Sequence, residues 1–345
     1  MTASPDTSAP PDRHGASLRR WAMAILVGLA AVLAVAGALQ PDRSALAGRP
    51  GPSVTPPVGE KKYVVTDELT LKADLAQKLH YRPKVIILGG SRSLRFEPAY
   101  IKRKTGLSAF NAGVRNGRPE EAWGLTHYLH DLHPDVRPRY LWIIHPKLLR
   151  GWWRVSPPLV QDGRFSRYFP DAFLEKQGEK MPDSSSRRPL KSKLPPPKWD
   201  PDGHIVWSHS DTLRLATGIR VTINQWYKKN GPGAPTIEPR PRYWFEKTLA
   251  WMNDEMHARP VLVIGPVQPE VLEKIGPGGF WAAHDQLLAY LDSLRGKYRF
   301  TVVDLTRIES FGGDPENFYD GYHPKAENTH RIIDEVLRRH PHAFD

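Results

Sequence analysis

Short apolar runs alternate with amphipathic stretches over most of this chain after about residue 60. We expect strands in five apolar runs, at residues 84–88, 108–112, 140–144, 261–264 and 300–303. Helical spacing of apolar residues, with prolines that can open a helix, predicts helices at residues 66–80, 119–133, 280–294 and 324–339. Because strands that alternate with helices form parallel sheets covered on both faces, the pattern predicts an α/β fold in three layers, with about five parallel strands.

Residues 151 to about 242 interrupt this alternation. The segment is too long for an ordinary connection, so we expect an insertion that lies over one edge of the sheet. It contains many prolines, a basic low-complexity piece at residues 184–189, and the tryptophans Trp152, Trp153, Trp199 and Trp207. Exposed aromatic rings would suit sugar rings, whereas tryptophans that pack the insertion onto the body of the domain would have no binding role.

The N-terminal part of the chain differs in composition from the rest. Residues 1–20 are rich in Pro, Ser, Thr and Ala, which predicts a disordered cytoplasmic tail. Residues 21–39 carry no charge and just reach the thickness of a bilayer core, about 30 Å. We expect a single-pass membrane anchor there; a cleaved signal peptide or a buried helix of a soluble domain is the alternative. Residues 40–60 are typical of a linker, and residues 61–345 would form the domain outside the membrane.

The composition of the chain excludes several kinds of site and partner. The chain has 345 residues and no cysteine, which excludes disulfides, a thiolate nucleophile and cysteine-ligated metals. The formal net charge is +12. We expect no nucleic acid as partner, because the basic residues are scattered and no nucleic-acid-binding motif is present. An anionic envelope surface or an acidic polysaccharide fits the charge better.

Two short motifs at opposite ends of this domain indicate nucleophilic chemistry. The first apolar run stops at Gly89-Gly90-Ser91, which predicts a sharp turn that lifts a hydroxyl to the carboxyl edge of the sheet. Asp320 and His323 lie three residues apart near the C-terminus and can supply a base and its orienting carboxylate. The alternatives are a structural Gly-Gly-Ser turn or a serine that caps a helix. Neither glycine-rich phosphate-binding pattern is present.

A third motif follows the second expected strand, at Asn111-Ala112-Gly113. Glycine there could offer a backbone N–H to a developing oxyanion, beside the N–H of Ser91. The side chains of Asn111 and Asn116 could add further donors. A loop that needs Asn and Gly only for its turns is the alternative.

In the order of these three motifs the chain resembles the SGNH/GDSL hydrolase superfamily, over residues 84–339. The resemblance implies a flavodoxin-like three-layer α/β/α fold, to which this sequence adds a large insertion and an N-terminal membrane helix. It also implies that Ser91 is the nucleophile, that Gly113 is an oxyanion donor, and that Asp320 and His323 complete the catalytic set. The first block is closest to the membrane-tethered branch that reads Gly-Ser-Ser-Arg or similar.

One block of that superfamily is missing. Where the pattern Gly-x-Asn-Asp is expected after the third strand, this chain reads Ile143-Ile144-His145-Pro146. The third oxyanion donor is therefore unassigned, with His145 or Asn116 as substitutes.

The resemblance implies a serine-dependent esterase or O-acyltransferase that acts on ester-linked acyl groups, acetyl above all, of a cell-envelope carbohydrate. We expect an acylated carbohydrate or a small acyl ester as substrate, the membrane as partner through the N-terminal helix, and an envelope acyltransferase as a further candidate partner. No cofactor is expected. The rival hypothesis is a non-catalytic module of the same fold that binds a glycan or a partner in the envelope.

Three histidines on one expected helix raise the question of a metal. His127, His130 and His133 recur at intervals of three residues. No acidic residue accompanies them in a metal-binding pattern, so we expect a solvated helix face and no metal site.

Overall fold

The structure is a computed structural model that describes residues 63–64, 67–150, 155–179, 191–192, 195–229 and 237–344. The expected cytoplasmic tail, membrane anchor and linker at residues 1–60 lie outside the described residues. Among the helices that the structure describes, none is long and apolar enough to cross a membrane.

A five-stranded parallel sheet forms the centre of the domain. Its strands are β2 (Val85–Gly89), β3 (Ala109–Asn111), β4 (Arg139–Ile144), β8 (Val261–Ile264) and β9 (Thr301–Asp304). The strand order is β3-β2-β4-β8-β9, and each neighbouring pair is parallel. Two short antiparallel pairs lie outside this sheet: β1 (Tyr63–Val64) with β5 (Lys191–Ser192), and β6 (Lys198–Trp199) with β7 (Ile205–Trp207). From β2 the chain adds β3 on one side of the sheet, and then β4, β8 and β9 on the other side. Ligands of open α/β sheets bind in the crevice at such a switch point, which lies here between β2 and β4.

Eleven α-helices are found among the described residues. In chain order they are α1 (Glu68–Gln77), α2 (Pro98–Thr105), α3 (Pro119–Leu132), α4 (Pro157–Gln161), α5 (Gly163–Ser166), α6 (Asp171–Gly178), α7 (Leu215–Lys229), α8 (Pro239–Asp254), α9 (Pro269–Ile275), α10 (Trp281–Leu294) and α11 (Ala326–Arg339). Short turns of other helix types occur at Ser91–Ser93, His209–Thr212, Gly276–Phe280 and Ile308–Phe311.

The side chains of the sheet alternate between two buried clusters, as the period of a strand requires. On one face, residues such as Ile86 and Trp142 pack with apolar side chains of α1, α3, α8 and α10. On the other face, Ile87 and Ile143 pack with side chains of α2 and α11. Helices therefore cover both faces, and the expected three-layer α/β fold with five parallel strands is what the structure has.

The boundaries of the elements differ little from the sequence-based expectation. The central strands begin and end within about one residue of the apolar runs. The last helix begins at Ala326 rather than at Pro324, because Pro324 forms an antiparallel bridge with Phe318. That bridge closes the loop that carries Asp320 and His323.

Helices of the insertion pack on the domain in two places. Helices α4 and α5 press Leu159 and Phe165 against Gly124 on α3. Farther along, α7 places Ile219 and Trp226 against apolar residues of α9, in a third buried cluster. The insertion is therefore part of the folded body where it is described.

The histidines of α3 do not form a solvated face. The ring of His127 lies 3.8 Å from that of Trp123 and 4.3 Å from that of Trp251, measured between ring centroids. Burial lowers the pKa of His127 to about 4. His130 and His133 are also half-buried. The expectation of a solvated face is wrong because α8 packs against this side of α3.

Candidate active site

Ser91 lies directly beyond the carboxyl end of β2, at the first position of the turn Ser91–Ser93. Gly89 makes this turn feasible, because its φ is +144° and an added Cβ would lie 2.7 Å from the carbonyl oxygen of Ile143. Gly90 has an ordinary φ of −84° and room for a Cβ. Only the first of the two glycines is therefore required by the backbone.

The loop that carries the other two residues is closed by backbone hydrogen bonds. The Tyr319 N–H donates to the carbonyl oxygen of His323 at 2.9 Å. Inside the loop, Asp320 Oδ1 accepts the N–H groups of Tyr322 at 2.7 Å and of His323 at 3.1 Å. An aspartate that accepts backbone N–H groups two and three residues ahead stabilises a tight turn. The sequence Asp-Gly-Tyr-His thus orients its own carboxylate.

The structure brings Ser91, His323 and Asp320 into one hydrogen-bonded chain. Ser91 Oγ lies 2.7 Å from His323 Nε2, and His323 Nδ1 lies 2.7 Å from Asp320 Oδ2 and 2.9 Å from Oδ1. An ionised carboxylate can only accept, so the Nδ1–H donates to Asp320 and Nε2 accepts from the Ser91 hydroxyl. A base within reach of a hydroxyl, itself oriented by a third group, is the arrangement that activates serine.

Asp320 is held in its ionised form. Burial alone would raise the pKa of the Asp320 carboxyl. The charge and hydrogen bond of His323, together with the N–H groups of Tyr322 and His323, outweigh burial and lower this pKa below its usual value. Asp320 therefore stays a hydrogen-bond acceptor for the imidazole over the ordinary pH range.

Asn111 and Gly113 do not occupy the positions expected for oxyanion donors. The Gly113 N–H donates to Asn111 Oδ1 at 3.0 Å, so it is already engaged within the loop. Asn111 is fully buried, and its Nδ2 donates to the carbonyl oxygens of Ser93 and Phe96 at 2.8 and 2.9 Å. A Cβ on Gly113 would lie 2.0 Å from Ser93 Oγ. Both residues fasten the turn after β2 to the loop after β3, which is a structural role.

Asn116 is the member of the expected donor set that faces the candidate nucleophile's pocket. A pocket of about 190 Å³ opens at Ser91 and His323, and Asn116 lines it with a positive φ of 55°. Asn is one of the few residues besides glycine that tolerate this conformation. The N–H of Ser91 is the first of a helical turn, so no carbonyl of that turn accepts it. These two groups are donors on the same pocket as the serine hydroxyl.

His145 lines the same pocket from the end of β4. Its Nδ1 accepts the N–H of Lys147 at 3.2 Å. Burial, and then the charges of Arg92, Lys147 and His323, hold the pKa of His145 well below its ordinary value. The ring is therefore neutral, and its single proton is on Nε2. His145 is an uncharged donor where the resemblance has an asparagine.

Helix α7 of the insertion contacts the candidate site and was not singled out by any sequence motif. Gly218 is packed so closely that a Cβ would lie 2.7 Å from the Cβ of Asp320. Thr222 Oγ1 accepts the Gly321 N–H at 3.2 Å. Gln225 and Trp226 line the pocket. The spacing of these four residues places them on one face of the helix. It does not indicate in the sequence that this face meets the loop of Asp320.

Two other features lie away from Ser91. Of the residues that the structure describes, Asp200, Asp202 and His204 form the one group able to offer three metal-ligating atoms. His204 Nδ1 lies 2.7 Å from Asp202 Oδ1, an internal pair that organises the β6–β7 turn. A larger cavity of about 400 Å³ is lined by residues at the amino ends of β4, β8 and β9, on the opposite edge of the sheet.

Comparisons with known proteins give no family. No protein-family model and no curated protein matches the sequence. Among solved structures, a candidate platelet activating factor from Streptococcus pneumonia is 11% identical with a TM-score of 0.38, covering 79% of this chain and 90% of that one.

Two further structures are similar at the same level. A candidate acylhydrolase from Bacteroides fragilis is 11% identical with a TM-score of 0.35, covering 80% of this chain and 95% of that one. A GDSL-like lipase from Bacteroides thetaiotaomicron is 12% identical with a TM-score of 0.34, covering 79% and 95%. These similarities are too weak to assign a family or an activity to this chain.

Proposed function

We propose that this protein is a serine-dependent esterase or O-acyltransferase that acts on short ester-linked acyl groups, such as acetyl, of a cell-envelope carbohydrate. The observation that carries the proposal is the hydrogen-bonded chain from Ser91 Oγ through His323 to Asp320, with heavy-atom distances of 2.7 Å at each step. It lies at the carboxyl edge of a parallel sheet, beside the switch point between β2 and β4.

In the first half of the reaction, Ser91 Oγ attacks the acyl carbonyl while His323 Nε2 takes the serine proton. Asp320 stabilises the imidazolium that forms. The Ser91 N–H, Asn116 and His145 donate hydrogen bonds to the oxyanion. The carbon–oxygen bond to the carbohydrate then breaks, and His323 returns the proton to the departing alcohol, which leaves an acyl-serine.

In the second half, His323 takes a proton from an acceptor that attacks the acyl-serine. Water as acceptor gives hydrolysis, and a sugar hydroxyl gives transfer of the acyl group. Ser91 Oγ leaves and recovers the proton from His323, so the site returns to its starting state.

The size of the pocket supports a short acyl group. Sites that enclose a whole drug-sized ligand measure about 300–1,000 Å³, and the pocket at Ser91 measures about 190 Å³. A long acyl chain would not fit, whereas an acetyl group with part of one sugar ring would.

The setting in the cell envelope is proposed on the sequence. Residues 21–39 would anchor the chain in the membrane, residues 40–60 would hold the domain away from it, and residues 1–20 would be cytoplasmic. An envelope acyltransferase is a further proposed partner.

Covalent labelling tests the nucleophile. The purified full-length protein is treated with a fluorophosphonate probe, and turnover of p-nitrophenyl acetate is measured in parallel. We expect labelling of the wild type and loss of labelling in Ser91→Ala and His323→Ala, with kcat/KM at least about 10³-fold lower. Ser293→Ala, an exposed serine on α10, is the matched control. Equal turnover by the wild type and by folded Ser91→Ala would sink the mechanism.

The second candidate function is a non-catalytic glycan- or partner-binding module. The engagement of the Gly113 N–H by Asn111 favours it, because this leaves one fewer backbone donor for an oxyanion. Glycan binding that is unchanged in Ser91→Ala, in a protein that the probe does not label, would support this candidate.

A further inference from the structure

The pocket at Ser91 is lined by cations. Arg92 follows the serine, Arg118 precedes α3, and Lys147 and Arg150 follow β4, so three separate segments contribute positive charge. Among the described residues that line this pocket, none carries a carboxylate. A site for a neutral ester has no need of this arrangement.

Aromatic rings hold two of these cations in place. The Arg92 guanidinium lies 4.4 Å from the centre of the Tyr322 ring, and the Lys147 ammonium lies 3.8 Å from that of Trp226. A ring attracts a cation through its quadrupole but does not neutralise the charge, as a carboxylate would. Arg92 Nη1 is also buried without a hydrogen-bond partner among the described residues. The guanidinium thus keeps both charge and unused hydrogen-bonding capacity.

Acidic residues interact with three of these cations. The charges of Glu120 and Glu121 stabilise the Arg118 cation, and the charge of Glu238 stabilises the Arg150 cation. Glu120 is in addition paired with Arg240 at 2.8 Å. Asp320 acts on Arg92 but is itself engaged by His323. Arg92 therefore keeps a positive charge at the pocket.

We propose that this pocket recognises an anionic group, a carboxylate or a phosphate, on the same sugar residue that carries the acyl ester. The preference for an anion is inferred from the pocket alone, whereas the identification of the substrate as an ester rests on the proposed function. Arginine binds the two oxygens of such a group in a fork, and a lysine adds a point charge. The anion would fix which ester of the sugar reaches Ser91 Oγ, and it would speed the encounter.

Three acetylated sugars of matched shape test this preference: an O-acetylated methyl glucoside, the corresponding glucuronide and the corresponding 6-phosphate. For the full-length wild type we expect kcat/KM to be at least tenfold higher for one of the anionic esters than for the neutral one. The two anionic arms distinguish carboxylate from phosphate. We expect the ratio to fall as salt is raised, because ions screen the attraction.

Variants locate the effect. Arg92→Gln and Lys147→Gln should each lower the ratio of anionic to neutral kcat/KM by at least threefold. Lys102→Gln, an exposed lysine on α2 that does not line the pocket, should leave the ratio unchanged. Lys147→Gln keeps the test valid if Arg92→Gln does not fold. A wild-type ratio near one, or a ratio unaffected by both variants, would overturn the proposal.

Binding separates this proposal from the proposed function. Titration calorimetry on Ser91→Ala with the same three sugars measures anion preference without turnover. Turnover of the neutral ester with no anion preference overturns only the inference. Preferential binding of an anionic sugar in a protein that turns over none of the esters supports the inference and rejects the esterase.

Discussion

His145 shows how one side chain can take over a donor role through its surroundings. The Lys147 N–H occupies Nδ1, and burial together with nearby cations keeps the ring uncharged. A neutral imidazole with its proton on Nε2 then presents one donor to the pocket. An imidazolium would add yet another positive charge beside Arg92 and Lys147, which explains why this environment disfavours it.

The first prediction concerns this donor. His145→Gln keeps an N–H donor of similar reach, and we expect it to retain most of the kcat/KM for p-nitrophenyl acetate. His145→Phe keeps the ring but removes the donor, and we expect a loss of about 10²–10³-fold in kcat. The pKa of His145 is held well below its ordinary value, so the ring does not titrate between pH 5 and 8. His145→Gln should therefore not move the acidic limb of the pH–rate profile in this range. Equal activity of both variants would exclude His145 from oxyanion binding.

Short sequence motifs were sufficient to single out Ser91, Asp320 and His323, because the conformation of each motif depends on local sequence. A strand that ends in Gly89 forces a turn at Ser91, and the Asp320 loop closes through its own backbone. The role of Gly113 depends on the packing of Ser93 and Asn111, which come from two different segments. Such a contact has no signature in a single sequence.

At the scale of elements, α7 is the part of the insertion that determines the geometry of the site. Its Gly218 lies against Tyr319 and Asp320, and its Thr222 accepts from Gly321. The apolar pattern of the strands was sufficient to predict the sheet, because the faces of strands repeat every two residues. The position of α7 could not be predicted, since it follows from tertiary contacts of a proline-rich segment with the last loop of the domain.

The second prediction tests this contact. Gly218→Val would place a Cβ 2.6 Å from the Tyr319 carbonyl oxygen and 2.7 Å from the Asp320 Cβ, so either the loop or α7 must move. We expect kcat/KM to fall about 10²-fold, because a displacement of about 1 Å at a catalytic group has effects of this size. Circular dichroism should be unchanged.

Gly178→Ala is the matched control for this variant. Gly178 ends α6, and a Cβ there would meet nothing within 4 Å. It should keep full activity. An active Gly218→Val enzyme with an unshifted thermal midpoint would show that α7 does not position the loop.

At the scale of the whole molecule, one buried lysine joins three parts of the fold. Lys72 on α1 is fully buried, and its Nζ donates to the carbonyl oxygen of Asn111 after β3 at 2.7 Å and to that of Gly203 in the β6–β7 turn. Its ammonium also lies 4.6 Å from the centre of the Trp199 ring. Trp199 therefore packs the insertion onto the domain, which is the alternative to a role in contacting sugar rings.

The third prediction follows from the charge of this lysine. Burial lowers the pKa of Lys72 to about 7, although Glu68 and Asp202 oppose the shift. Between pH 7 and about 10 the unfolded chain therefore binds more protons than the folded one, and stability rises with pH in this window. Lys72→Met lacks the titration, so the wild type should gain unfolding free energy relative to the variant, by up to about 1.4 kcal/mol per pH unit.

Chemical denaturation of both proteins at pH 7, 8, 9 and 10 measures this difference, and limited proteolysis reports the attachment of the insertion. The variant also leaves the carbonyl oxygens of Asn111 and Gly203 without their donor, so we expect faster cleavage in the insertion at every pH. Lys78→Met, an exposed position at the end of α1, controls for loss of charge alone. Parallel stability curves for the wild type and Lys72→Met would mean that Lys72 keeps its ordinary pKa, and that water reaches this junction between α1, the sheet and the insertion.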